Sequence, residues 1–160
     1  TVFDEINYEG KGPHGVLVFV ECATDNSTRT VANVKSYFNK AGGSLVPTGS
    51  PEFMFSRKAV FEFAKPENVD VEELELELID AGLDEIEENE GTFYAYADFI
   101  NFGTLAQAFE EQNIKVLNAE LKRFSTSPVE FTEDQMNDIE KMLDKLEEDD
   151  DVQAVYTNIE

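Results

Sequence analysis

Between Ala59 and Phe124 the apolar residues change period in a fixed order: strand, helix, strand, strand, helix, strand. Val60–Phe63 alternate. Asp70-Val71-Glu72-Glu73 is a capping-box-like helix start, Val71, Leu74, Leu78 and Ala81 share one face behind it, and Gly82 stops the helix. Asp84–Glu88 and Thr92–Ala97 read as a hairpin around Asn89-Glu90-Gly91. A second helix over 101–112 turns Leu105, Ala108 and Phe109 inward and stops at Asn113, and residues 114–124 form the last strand. Few topologies accept this order, because each helix must carry the chain back to the same sheet. It predicts a split-βαβ, ferredoxin-like sandwich.

The flanks look incomplete when read separately. Val16-Leu-Val-Phe-Val-Glu-Cys22 is a nearly continuous apolar run, suited to a strand buried on both faces. Before it lie a short strand over 3–8 and the turn-rich loop Gly10-Lys-Gly-Pro-His-Gly15. After it, Val31, Val34, Phe38 and Ala41 line one face of a helix capped by Asn26 or Ser27 and ended by Gly42-Gly43. One or two strands occupy 53–63. Beyond Pro128, Thr132-Glu-Asp-Gln135 opens a helix with Met136, Ile139, Leu143 and Leu146 inward, followed by a strand over Val152–Tyr156. Joined, these pieces make a second split-βαβ-like sandwich. The expectation is therefore an α+β chain of two sandwiches, with residues 59–128 inserted into a domain built from 1–58 and 129–160.

Charge divides the chain in the same way. Residues 1–59 hold six acids and six bases, while 60–160 hold 29 acids against six bases and carry the whole net charge of −23. Phosphate binding draws on Lys and Arg, so any face for an anionic partner is expected within the first 59 residues. Cys22 is the only cysteine, which rules out an internal disulfide, and one Cys with one His leaves no Cys/His zinc set. A reducing, intracellular setting fits that usage. No apolar run approaches the ~18 residues of a membrane helix, and no signal peptide is visible, so no membrane association is expected.

No arrangement for catalysis stands out. His14 has no nucleophile or orienting carboxylate beside it in sequence. Gly10-x-Gly12-x-x-Gly15 has the letters of a dinucleotide fingerprint, but an apolar strand follows where that motif needs a helix, and a tight turn explains the glycines. Glu147–Asp151 lacks the glycine of a calcium loop and reads as a solvated helix end. Cys22 reads as a small buried hydrophobe. Thr24–Thr30 opens a helix beside Arg29, where a cap is the plain reading and a phosphate site the functional one. Arg57-Lys58 reads either as a second contact or as solvated charge. No enzyme activity, cofactor or metal is expected.

Four segments read together: Tyr8-Glu-Gly-Lys-Gly-Pro-His-Gly-Val16, Glu21-Cys-Ala-Thr-Asp-Asn-Ser-Thr-Arg-Thr-Val31, Gly42-Gly-Ser-Leu45 continuing to Phe53-Met-Phe55, and Asp149–Asn158. Together they strongly resemble the YebC/PmpR family, whose mitochondrial members include the translational activator of cytochrome c oxidase. The resemblance runs from about residue 3 to 158. It implies three domains, with the sequence in hand corresponding to the second and third and lacking the N-terminal, basic helical one. It also implies a non-enzymatic, cytoplasmic regulator of gene expression. Such a protein would be a DNA-binding transcriptional regulator, or alternatively a ribosome-associated translation factor that acts through RNA and aids proline-rich stretches. Its partners would be DNA, or ribosomal RNA or tRNA with ribosomal proteins. Lys11, Gly12, His14, Arg29, Arg57 and Lys58 are the residues expected to meet nucleic acid.

Overall fold

The computed structural model describes residues 2–50 and 55–160. The strand expected over 53–63 falls partly outside this set, and its described part is a single strand from Phe55. The chain divides into two compact units: Thr1–Phe55 with Phe124–Glu160, and Ser56–Arg123. The divisions lie three and five residues before the expected 58/59 and 128/129.

The inserted unit contains β4 (Phe55–Ala64), α2 (Val71–Ile79), β5 (Leu83–Asn89), β6 (Thr92–Asp98), α3 (Phe102–Glu111) and β7 (Val116–Ser125). Its sheet order, β5-β6-β4-β7, places the first strand centrally between the third and the last, as the ferredoxin-like pattern requires. Phe61, Phe63, Phe93 and Phe109 are buried beside Leu74, Leu78 and Leu105 from the helices. Ala59, Ala95 and Ala97 are fully buried small residues on the central strands that leave room for those rings. Phe63 stacks on Phe93 at 5.5 Å and meets Phe109 at 5.0 Å.

The discontinuous unit contains β1 (Asp4–Lys11), β2 (Leu17–Thr24), α1 (Ser27–Lys40), β3 (Ser44–Val46), α4 (Glu133–Glu148) and β8 (Val152–Thr157). Its sheet order is β3-β1-β2-β8, all pairings antiparallel. β1 is longer than the sequence suggests: it runs through Gly10 to Lys11 and sits centrally, between the two strands that α1 connects. Val16, Val18, Val20 and Cys22 pack with Val34, Phe38, Ile139, Met142 and Leu146 of the two helices. On the opposite face Phe19 is buried. This two-sided burial accounts for the unbroken apolar run. Asn26 caps α1 by accepting from the Arg29 N–H, and Thr132 and Gln135 form a full capping box at α4.

Candidate nucleic-acid interface

The loop after β1 is built by close packing. A Cβ on Gly10 would stand 2.5 Å from the Phe38 ring, and one on Gly12 would stand 2.7 Å from Met142 Cε. Helices α1 and α4 therefore press directly on the glycine backbone. Packing, more than the expected tight turn, requires these two residues. The Gly12 N–H donates to the Val16 carbonyl at 2.8 Å, which closes the loop on itself. Pro13–Gly15 form one 3-10 turn in which His14 adopts φ 60°. That conformation carries the imidazole to α4, where Nε2 lies 2.8 Å from Asp138 Oδ2.

This turn forms one wall of a cleft of about 620 Å³, with the C-terminal end of α1 and one face of α4 as the others. Pro13, Tyr37, Ala41 and Met142 supply its apolar surface. Lys40, Lys141 and Lys145 stand around it with His14, and Asp138 is its one carboxylate among the described residues. No ion pair among the described residues engages the three lysines. Asp138, by contrast, is held by His14. Tyr37 donates to Asp149 at 2.6 Å, and burial together with that bond pushes its hydroxyl up to about 12. It thus stays neutral and fixed.

The cations of this cleft therefore come partly from beyond the first 59 positions, within which the charge distribution places any face for an anionic partner. Lys141 and Lys145 are the only bases of residues 129–160, set among 12 acids, and their spacing of four puts them on one side of α4. They meet Lys40 because α4 packs beside α1. Chain position concealed this pairing, although the four-residue spacing was visible.

The other expected residues are placed differently. Arg29 forks onto Asp151, with Nη2 2.9 Å from Oδ1 and Nε 3.2 Å from Oδ2, and it also reaches Asp25 at 3.1 Å. Thr30 donates to the same carboxylate at 2.9 Å. Burial works against ionisation of Asp151, but the bonds from Thr30 and Arg29 outweigh it and hold the carboxyl below its usual range. The hydrogen bond that Arg29 donates to Asp151 in turn raises the guanidinium. The start of α1 is thus tied to the turn before β8 by a satisfied ionic network. Asp149 and Asp151, expected as part of a solvated helix end, are instead bound by α1. Lys11 is half-buried within β1, and His14 alone of the six residues lines the cleft. Arg57 and Lys58 belong to the inserted unit, where Arg57 lies 5.3 Å over the Phe99 ring and Lys58 is 3.9 Å from Asp84. Among the described residues, no group of three or more His, Cys, Asp or Glu is placed to hold a metal ion.

The family model for the TACO1/YebC second and third domain matches residues 3–159. The chain belongs to the TACO1/YebC family. A relative from Wolinella succinogenes, named a probable transcriptional regulatory protein, is 62% identical over 160 residues, covering 99% of this chain and 68% of its own length. One from Sulfurimonas denitrificans bears the same name and is 56% identical over 155 residues, covering 97% and 66%. A crystal structure of a conserved hypothetical protein from Aquifex aeolicus superposes with a TM-score of 0.79 at 32% identity, covering 99% of this chain and 65% of that one. The chain spans about two thirds of the length of these relatives.

Relatives in the TACO1/YebC family are thus named as regulators of transcription, not as enzymes. No helix among the described residues is long and apolar enough to cross a membrane.

Proposed function

We propose that this chain is the body of a non-enzymatic regulator of gene expression that acts in the cytoplasm and contacts nucleic acid through its discontinuous unit. The observation that supports this most is the cleft. On a chain of net charge −23, three unpaired lysines and His14 converge on one recess. Unpaired cations around a concavity suit phosphate. The names of the relatives favour DNA and transcription.

A second reading, a ribosome-associated factor acting through RNA, has the concave form of the site in its favour. Duplex DNA is usually read by a helix or ribbon projecting into a groove, whereas single-stranded RNA is read by pockets that accept splayed bases. An acidic body also repels a bare duplex, while a ribosome presents basic proteins beside its RNA. Co-sedimentation of the protein with ribosomes, alongside DNA binding at moderate salt, separates the two readings. Sedimentation with ribosomes without sequence-preferring DNA binding supports the RNA reading, and the reverse supports DNA. If the protein shows neither association, the proposal fails.

A further inference from the structure

The cleft between the Pro13–Gly15 turn, α1 and α4 differs in character from its surroundings. The surface of α4 is otherwise dominated by carboxylates, and only the strip facing the cleft carries Lys141 and Lys145. The walls combine two chemistries. Lys40, Lys141 and Lys145 provide ammonium groups with no protein partner among the described residues. Pro13 and Tyr37 provide flat apolar surface, suited to the face of a planar ring, with the buried Met142 behind them. A volume of about 620 Å³ lies within the range of sites that enclose a small organic group and is far too small for a duplex.

The one carboxylate in the cleft narrows the ligand further. A lone carboxylate would repel phosphate, yet Asp138 stands among the lysines with one oxygen held by His14 Nε2 at 2.8 Å. Its remaining acceptor capacity points to a neutral hydroxyl donor bound close to the phosphate. A ribose 2′-hydroxyl is such a donor, and it is the group by which a protein tells RNA from DNA. We infer that this cleft holds one unstacked nucleotide of single-stranded RNA. The base lies against Pro13 and Tyr37, the phosphate meets the lysines, and the 2′-hydroxyl meets Asp138. The inference rests on the RNA reading of the function and adds its site, strandedness and sugar.

The test is fluorescence anisotropy with the full 160-residue chain and labelled oligouridine, oligodeoxythymidine of equal length, and duplex RNA. The expected order of affinity is single-stranded RNA, then single-stranded DNA, with duplex weakest. Lys141→Glu with Lys145→Glu is expected to lower RNA affinity at least about tenfold and to reduce the salt slope by about 0.7, the contribution of one neutralised phosphate. Lys35→Glu, on α1 outside the cleft, is expected to leave affinity within about twofold. Asp138→Ala, at an exposed position, removes the acceptor and is expected to retain RNA binding while losing most of the preference over DNA. Amide chemical-shift mapping of the unmutated chain with oligouridine gives a readout independent of how the variants fold, with shifts centred on 14–15, 37–41 and 138–145. Equal binding of duplex, equal weakening by Lys35→Glu, or shifts centred elsewhere would overturn the site. If no probe binds the chain while the protein still sediments with ribosomes, the inference fails and the RNA reading survives.

Discussion

Asp151 accepts from Arg29 and Thr30, and its backbone carbonyl accepts from Ala23 N at 2.9 Å. Its folded pKa lies below the ordinary value. A depressed carboxylate contributes stability that is complete above its unfolded pKa of about 4 and is lost as pH falls through the folded value. Asp151→Asn is therefore expected to cost on the order of 2 kcal/mol near neutral pH and progressively less in acid, measured by urea melts across that range. Cys22 behaves in the opposite way. Burial first, then Asp149 and Asp151, push its thiol up to about 12. Alkylation near pH ~8 is expected to be slow in the native protein and fast in denaturant. Gly43 gives the sharpest steric prediction, because a Cβ there would lie 2.0 Å from the Lys11 carbonyl oxygen. Gly43→Ala forces two backbone segments apart and is expected to cost about 3 kcal/mol or more. Gly12→Ala should cost less, since its closest obstacle is the flexible end of Met142.

At the level of elements, α4 carries the most testable local signal. Thr132 Oγ1 accepts from Gln135 N at 3.2 Å, and Gln135 Oε1 accepts from Thr132 N at 3.0 Å. Thr132→Ala is expected to lower stability by about 1 kcal/mol in thermal or urea melts. Such helices were legible in the sequence because period and cap coincide: Asp70, Asn26 and Thr132 each sit at the predicted start. The full length of β1 was not legible. Gly10 and Lys11 carry no strand signal of their own, and they are held extended by pairing with Val18 and Leu17 on one side and with Leu45 and Ser44 on the other. The roles of Asp149 and Asp151 were hidden for a similar reason. A run of five acids reads as solvated until Tyr37, Arg29 and Thr30 are brought against it from more than a hundred residues away. Of the candidate site, His14 was recognisable from its loop. Lys40, Lys141 and Lys145 were not, because their proximity depends on the packing of α1 beside α4.

At the scale of the whole molecule, each unit has its own core, and the inserted one closes its sheet with strands at both of its ends. Residues 55–125 expressed alone are expected to melt cooperatively, since Phe61, Phe63, Phe93 and Phe109 pack entirely within that unit. A low far-UV signal or a non-cooperative transition would contradict that independence. Net charge at this scale is a poor guide to partners. A total of −23 conceals a cleft whose described lining holds three lysines and a single, already bonded carboxylate. The central claim, that the discontinuous unit contacts nucleic acid, is tested most directly by ultraviolet crosslinking in cells, with sequencing of the recovered nucleic acid and mass-spectrometric mapping of the crosslinked peptides. The account predicts crosslinked peptides from 13–14, 37–41 and 138–145, with DNA recovered on the transcriptional reading and ribosomal RNA on the ribosomal one. Crosslinks confined to the inserted unit, or no nucleic acid recovered with this chain, would contradict it.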